Sequence, residues 1–308
     1  MSPSFVSVFV SVLCSGANFF ADDFIERTVT TRSTPQRIFI TGASSGLGAA
    51  LARHYAAQGA ILGLVSRRAD LLAQLVAELN ANIAAARHRI YPLDVNDHAA
   101  LAAAAADFIA QGGIDIVIAS AGISAGTLTE HYEDLAVFEQ IIATNLTATV
   151  ATFAPFIAAM KSARSTAELK NTDGALGIAR PLRLVGIASV AGIRGLPGAG
   201  AYSASKAALI SYCESLRVEL RSSAIRVVTI VPGYIDTPMT QHNTYPMPFL
   251  LAPDRFAQRA AAAIDAGNSY CVIPWQMAWV ACLLRWLPNG LYDRLFGRMP
   301  RKQRRTSD

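Results

Sequence analysis

The chain has 308 residues, of which 52% are hydrophobic and only 16% charged, and its net charge is +5. A chain of this length and composition buries a large core, which excludes a disordered protein. The excess positive charge lies at the end of the chain, where six basic residues and no acidic residue stand between Arg294 and Arg305. The rest of the chain is neutral, so a general basic surface for nucleic acid is excluded.

Cysteine and histidine spacing indicates neither disulfides nor a metal centre. No two cysteines form a CxxC pair, and the five histidines have no HxxxH spacing. Both patterns predict a protein of the reducing cytoplasm without a metal site. The four cysteines are Cys14, Cys213, Cys271 and Cys282.

Residues 1–35 are predicted to be a weakly ordered N-terminal extension. The run 4–14 is apolar, but no positive charge precedes it and it is too short to cross a bilayer. A secretory signal is the less favoured alternative.

From residue 37 onward, short apolar runs alternate with amphipathic or alanine-rich segments. This alternation predicts an α/β fold, with a doubly wound parallel sheet that carries helices on both faces. The stretch 161–181 is polar and predicts a surface loop. The predicted strands are 37–41, 61–65, 88–93, 115–119, 184–188 and 225–231. The predicted helices run to about 58, over 69–79, from 97, over 133–160, and from about 202.

A glycine-rich segment follows the first predicted strand and opens the first helix. Glycines allow a tight turn there, so that backbone N–H groups and the helix N-terminus approach a pyrophosphate. Structural turns use glycine too, but the position between strand and helix favours nucleotide binding. The segment comprises Gly42, Ser44, Ser45, Gly46, Leu47 and Gly48, spaced GxxxGxG.

Two arginines follow the second strand, where an NAD enzyme would place a carboxylate against the ribose. Ser66, Arg67 and Arg68 stand there instead. A guanidinium binds a 2′-phosphate, whereas a carboxylate would repel it. Two solvated arginines are the alternative, although basic residues at a helix start oppose its dipole. We therefore predict NADP (NADPH) as the cofactor. After the third strand, Asp94 and Val95 either meet the adenine edge or cap the next helix.

Tyr202 and Lys206 are four residues apart, on one face of a predicted helix. A free tyrosine titrates near pH 10, and lowering that value by about three units requires roughly 4 kcal/mol. An ammonium about 4 Å away supplies about that much at an effective dielectric of about 20. The pair therefore suits a general acid–base, although an isolated YxxxK is common on ordinary exposed helices.

Other polar residues stand at the predicted strand ends. Ser189 follows the strand 184–188, where its hydroxyl would hold a substrate carbonyl oxygen. Asn145 lies within a long helix that disfavours asparagine, which suggests a functional reason. After the strand 225–231, a Pro-Gly turn would fix a nicotinamide carboxamide, a plain turn being the alternative. Its residues are Pro232, Gly233, Ile235 and Thr237.

Over about residues 36–270 this set resembles the classical short-chain dehydrogenase/reductase family. The resemblance implies a Rossmann-type sheet of about seven strands and a catalytic tetrad of Asn145, Ser189, Tyr202 and Lys206. It also implies that Tyr202 is the acid–base, Lys206 binds the nicotinamide ribose and lowers the tyrosine pKa, Ser189 orients the substrate, and Asn145 supports a proton-relay water. The family's usual Asn-Ala-Gly is replaced by Ser120, Ala121 and Gly122. A homo-oligomer would be usual for the family.

The C-terminal segment 274–308 lies beyond the resemblance. Trp275, Trp279 and Trp286 share one helical face, Leu283 and Met277 add apolar surface, and the basic tail follows. The pattern suits a helix on a cytoplasmic membrane surface, with contact through 275–305. A core, lid or dimer helix followed by a solvated tail is the alternative. The surface hypothesis would suit a lipid-like substrate.

These observations predict an NADPH-dependent oxidoreductase that reduces a ketone or aldehyde, or oxidises a secondary alcohol. The partners expected are a small-molecule carbonyl or alcohol and no nucleic acid. The location expected is cytoplasmic, with peripheral contact at the inner face of the membrane. An NAD-linked alcohol dehydrogenase and a non-catalytic nucleotide-binding protein of the membrane surface are the alternatives.

Overall fold

A computed structural model describes residues 35–81, 88–170, 182–241, 243, 246–297, 301–302 and 304, with side chains from 164 to 170 not described. The proposed N-terminal extension therefore lies outside the described residues, apart from Pro35. The proposed boundary after residue 273 coincides with the end of the last strand of the sheet.

The centre of the described chain is a parallel sheet of seven strands in the order β3-β2-β1-β4-β5-β6-β7. The order reverses between β1 and β4, and the carboxyl ends of parallel strands form a ligand crevice at such a point. The strands are β1 (Arg37–Thr41), β2 (Ile61–Ser66), β3 (Arg89–Pro92), β4 (Ile116–Ala119), β5 (Leu182–Ile187), β6 (Ile225–Pro232) and β7 (Tyr270–Ile273).

Helices cover both faces of this sheet, and the predicted doubly wound Rossmann-type fold is confirmed. In the described residues they are α1 (Gly46–Ala57), α2 (Ala69–Asn80), α3 (His98–Ala110), α4 (Asp134–Ile142), α5 (Ala148–Lys170), α6 (Gly200–Glu219), α7 (Pro253–Ala266), α8 (Gln276–Trp286) and α9 (Asn289–Phe296). A π-helical turn, Ala143–Thr147, separates α4 from α5.

Phe39 on β1 anchors the core on one face of the sheet. Its ring centroid lies 4.9 Å from that of Phe156 and 5.7 Å from that of Phe108. Gly63 on β2 makes room for these rings, because a Cβ there would lie 2.8 Å from atoms of both Phe39 and Phe108. The close packing fixes β2 beside β1 and thereby aligns their carboxyl ends.

Two predicted elements differ from the structure. The predicted loop 161–181 is wrong in its first half, since α5 continues to Lys170, and residues 171–181 lie outside the described chain. Short polar residues at 162, 165 and 166 lowered the apparent helix propensity, but α5 continues through them. The predicted single helix 133–160 is also interrupted by the π-helical turn around Asn145.

One continuous helical stretch, Asp134–Ala163, is long and apolar enough to cross a membrane by length and composition alone. Its side chains Phe153, Phe156 and Met160 are fully buried in the core of the domain. Those contacts explain its apolar character without a bilayer, because a helix buried against a sheet is apolar for the same reason.

Candidate active site

The glycine-rich loop joins β1 to α1 and leaves the start of that helix open. Gly42 and Gly46 have φ values of +69° and +56°, which L side chains rarely adopt. A Cβ on Gly48 would lie 2.3 Å from the carbonyl oxygen of Gly42. Ser45 precedes α1 without a side-chain cap. The first-turn N–H groups therefore have no side-chain cap and are available to a pyrophosphate.

Beyond the loop, hydroxyl groups and an arginine converge at the end of β2. The hydroxyls of Ser44 and Ser66 are 2.6 Å apart. The Arg68 guanidinium donates to Ser44 at 2.7 Å and to Ser45 at 2.6 Å. The cluster thus presents hydroxyl and guanidinium donors, which suit a phosphate group.

Arg67 points away from this cluster toward Asp94, with 3.6 Å between its Nη1 and the carboxylate. Asp94 also accepts a hydrogen bond from the backbone N–H of Asn96. It does not cap α3, because Asp97 does so by accepting from Ala100 at 3.0 Å. Of the two roles considered for Asp94, helix capping is therefore wrong, and the adenine edge remains a prediction. Val95 beside it is buried.

The segment after β4 is held against β1. The Thr41 hydroxyl accepts from the backbone N–H groups of Ser120 at 3.2 Å and Ala121 at 3.3 Å. A Cβ on Gly122 would lie 3.2 Å from Asn145 Oδ1 and 3.6 Å from Lys206 Nζ. Glycine at this position therefore lets the segment pass close to both side chains.

The loop after β6 forms the opposite wall of the crevice. A Cβ on Gly233 would lie 2.7 Å from Met277 Cγ of α8. Met277 is buried there, so the apolar surface expected of it is not exposed. Ile235 and Thr237 are buried as well. A Cβ on Gly46 would lie 3.6 Å from the Thr237 side chain, which brings this loop next to the glycine-rich loop.

Asn145 is fully buried in the π-helical turn and binds protein groups directly. Its Oδ1 accepts from the Ile123 N–H at 2.8 Å, and its Nδ2 donates to the Ile123 carbonyl and to Ser205 Oγ, both at 3.0 Å. These bonds tie the segment after β4 to α6. The proton-relay role expected of Asn145 stays a prediction.

Ser189, Tyr202 and Lys206 come together where β5 ends against α6. Ser189 follows β5 and hydrogen-bonds the Tyr202 side chain. Lys206 is buried, and its ammonium donates to the Ile187 carbonyl at 2.7 Å. The Lys206 Nζ lies 5.8 Å from the centroid of the Tyr202 ring.

Burial dominates the protonation of this group. It raises the pKa of the Tyr202 phenol, and the Ser189 hydrogen bond opposes that rise only in part. It also lowers the pKa of Lys206 to about 8. The expected lowering of the tyrosine pKa by Lys206 is therefore not found, since burial of the phenol outweighs the opposing hydrogen bond from Ser189.

These residues line one continuous cleft of about 300 Å³. With the exception of Asn145, the structure brings every predicted site residue to its wall. Sequence analysis missed part of the lining, namely Leu93, Asn96, Ile123, Gln140, Thr144, Ile187 and Ala188.

A family model described as short chain dehydrogenase matches residues 36–247. The chain belongs to the short-chain dehydrogenase family. An uncharacterized oxidoreductase of Myxococcus xanthus is 36% identical over 255 residues, which cover 82% of this chain and 93% of that protein. This short-chain dehydrogenase is thus an oxidoreductase acting on CH–OH or C=O groups, and the resemblance seen in the sequence is confirmed.

Solved structures share the fold at lower identity. A short-chain dehydrogenase of Burkholderia cenocepacia in complex with NADP has a TM-score of 0.68 at 23% identity, covering 86% of this chain and 98% of that one. A 3-ketoacyl-(acyl-carrier-protein) reductase of Brucella melitensis complexed with NADH has a TM-score of 0.66 at 23% identity, with 77% and 96% covered. Both nicotinamide dinucleotides thus occur in neighbours of this fold.

Proposed function

We propose that this enzyme is an NADPH-dependent carbonyl reductase in which Tyr202 supplies the proton. The observation that carries the proposal is the convergence of Ser189, Tyr202 and Lys206 beside the glycine-rich loop. In the reverse direction the same residues would oxidise a secondary alcohol. The bound nicotinamide supplies or accepts the hydride.

The protonation of Tyr202 favours the reductive direction. Because burial raises its pKa, the phenol is protonated at neutral pH and is ready to donate. A carbonyl oxygen placed between Ser189 and Tyr202 would accept a hydrogen bond from both hydroxyls. The proton then moves from the phenol oxygen to that carbonyl oxygen, and the buried Lys206 ammonium stabilises the phenolate left behind.

The polar cluster at the end of β2 supports NADPH over NADH. The cluster consists of Ser44, Ser66 and Arg68, whose hydrogen bonds to one another involve hydroxyl, guanidinium and backbone groups. A ribose 2′-phosphate would accept from all three side chains. The carboxylate of Asp94 is engaged by Arg67 on the other side. We propose Pro232, Gly233, Ile235 and Thr237 for the nicotinamide end.

The decisive experiment compares NADPH and NADH turnover on a panel of ketones and aldehydes, for wild type, Tyr202→Phe and Tyr132→Phe. Tyr132 is 85% exposed and serves as a matched control. We expect turnover with NADPH, no measurable turnover for Tyr202→Phe, and nearly unchanged NADPH affinity by fluorescence titration. NADPH binding without turnover on the whole panel would favour the non-catalytic alternative, and faster NADH turnover the NAD-linked one.

Apolar side chains near the cleft support an apolar carbonyl substrate. Met239 lines the cleft and is exposed, and Phe249 and Leu250 expose apolar surface on the same segment. Apolar side chains beside a ligand cleft favour substrates with a hydrocarbon portion.

The exposed face of α8 supports membrane contact as a further proposal. Trp279, Leu283 and Trp286 are all more than half exposed, and the Arg285 side of the helix is exposed too. Tryptophan with flanking cations suits the anionic inner surface of the membrane. We expect flotation with anionic vesicles for wild type and its loss in Leu283→Gln/Trp286→Gln. Equal flotation of wild type and variant would overturn the role of this face in membrane contact, and a shift in gel-filtration volume would assign the face to a homo-oligomer.

A further inference from the structure

Lys302 and Arg304 of the basic C-terminal tail contact the domain, so the alternative of a solvated tail is wrong at these two residues. Arg304 donates to Asp134 at 2.9 and 3.0 Å and to Glu133 at 2.9 Å. Its backbone forms a parallel bridge with Gly126. The end of the chain is therefore fastened next to the segment that leaves β4.

Arg301 packs on the loop between Ser189 and Tyr202. A Cβ on Gly198 would lie 2.8 Å from Arg301 Cβ, so the two backbones run close together. Gly198 also accepts a hydrogen bond from the Thr127 N–H. Arg301 thus lies on this loop, and Arg304 lies at the start of α4.

Between these two attachments, Lys302 reaches the catalytic tyrosine. Its Nζ lies 5.9 Å from the centroid of the Tyr202 ring and donates to Ser124 Oγ at 2.7 Å. Lys302 is half-buried, and burial lowers its pKa. Within the part of the chain that the structure describes, no carboxylate lies within ion-pair distance of Lys302.

A partly desolvated ammonium that contacts a neutral hydroxyl and an aromatic ring is poorly compensated, and an anion would compensate it best. In the proposed mechanism Lys206, on α6, already supplies the ammonium near the reacting oxygen. Lys302 comes from a different part of the chain and meets the ring independently. Its charge is therefore free to recognise the substrate.

We propose that Lys302 is a specificity-determining residue that binds an anionic group, a carboxylate or a phosphate, on the carbonyl substrate. This inference rests on the proposed function. It narrows the substrate class to ketones or aldehydes that have both a hydrocarbon portion and an acidic group. Ser124 holds the ammonium in position, and the anion takes up the remaining N–H donors of Lys302.

A binding experiment tests the inference without turnover. Isothermal titration calorimetry of the NADPH-loaded enzyme would use a medium-chain alkanoate and the alkanol of the same length as probes. We expect the wild type to bind the alkanoate at least about tenfold more tightly than Lys302→Met does, and the alkanol equally in both. Arg294→Gln removes the same charge from an exposed site and should bind as wild type does. Equal alkanoate affinity in wild type and Lys302→Met would overturn the proposal.

A kinetic experiment separates failure of this inference from failure of the proposed function. It compares medium-chain oxo acids with their methyl esters, and oxo phosphates with the parent hydroxy ketones. We expect Lys302→Met to lower kcat/KM for the acids about tenfold and leave the esters unchanged, while Lys302→Arg retains the preference. A larger effect on one pair identifies carboxylate or phosphate as the anion. Equal losses for acids and esters would overturn the role of Lys302, whereas turnover of no carbonyl compound together with normal alkanoate binding would overturn only the reductase.

Discussion

Arg304 and Asp134, 170 residues apart in the sequence, form a bidentate ion pair. The Asp134 side chain is only 6% exposed and also accepts from the Leu128 N–H at 2.8 Å. The Arg304 guanidinium holds the pKa of this carboxyl below its usual range. One end of the chain thereby fixes the loop that precedes α4.

Arg304→Gln should release the C-terminal segment and leave Asp134 without its cation. We expect faster cleavage by trypsin at Arg301 or Lys302, followed by mass spectrometry, and a lower Tm. Because the folded pKa of Asp134 is lowered, the pair contributes stability above the ordinary aspartate pKa and loses it as pH falls through the folded value. Wild type and variant should therefore differ at neutral pH and converge in acid. Arg294→Gln is the control. If trypsin cleaves Arg304→Gln no faster than it cleaves Arg294→Gln, the prediction is contradicted.

Arg68→Gln should weaken discrimination for NADPH. Hydrogen bonds to a charged group contribute about 1.5–3 kcal/mol, so kcat/KM with NADPH should fall by about 10- to 100-fold. The kcat/KM with NADH should change little, because NADH has no 2′-phosphate for Arg68 to bind. Arg67→Gln is the matched control, because Arg67 faces Asp94 rather than the glycine-rich loop. An equal fall with both cofactors in Arg68→Gln would show that the arginine acts on loop structure alone.

Lys206→Met should change the pH dependence of stability as well as abolish activity. Burial lowers the Lys206 pKa from 10.5 to about 8. Between these pH values the unfolded chain binds a proton that the folded enzyme does not. The free energy of unfolding of the wild type therefore increases as pH rises. At 1.36 kcal/mol per pKa unit the gain over the whole window is on the order of 3 kcal/mol. Urea unfolding from pH 8 to 10 should show this slope in wild type but not in Lys206→Met, and parallel profiles would refute it.

Gly42→Ala and Gly59→Ala separate backbone strain from steric contact. Both glycines have positive φ, at +69° and +82°, but a Cβ on Gly59 meets nothing within 4 Å, whereas one on Gly42 lies 2.8 Å from the Ala121 backbone. Gly59→Ala should cost on the order of 1 kcal/mol from strain. Gly42→Ala should cost more and should weaken NADPH binding, as measured by thermal denaturation and fluorescence titration. An equal decrease in Tm for Gly42→Ala and Gly59→Ala would mean that the glycine-rich loop shifts to accommodate the added methyl group.

Much of the fold follows from local patterns. The five residues of β1 and the start of β2 were predicted to the residue, because these strands are buried on both faces and flanked by clear turn residues. The π-helical turn at Asn145 was not foreseen, since it depends on the bonds from Asn145 to Ile123 and Ser205, which are distant in sequence.

The site divides in a similar way. Glycines, tyrosine and lysine were visible because each is an unusual residue at a strand end or a fixed helical spacing. The protonation of Tyr202 could not be predicted. Spacing alone gives neither the 5.8 Å between Lys206 Nζ and the centroid of the Tyr202 ring nor the burial of the phenol. Lys302 was visible as charge, but no sequence signal placed it beside a tyrosine 100 residues earlier.

Arg194 joins the loop after Ser189 to the last two helices: it donates to the carbonyls of Leu284 and Leu287, and its guanidinium stacks on Tyr292. A recombinant fragment ending where the family match ends, at residue 247, would lack these partners and leave the catalytic loop unsupported.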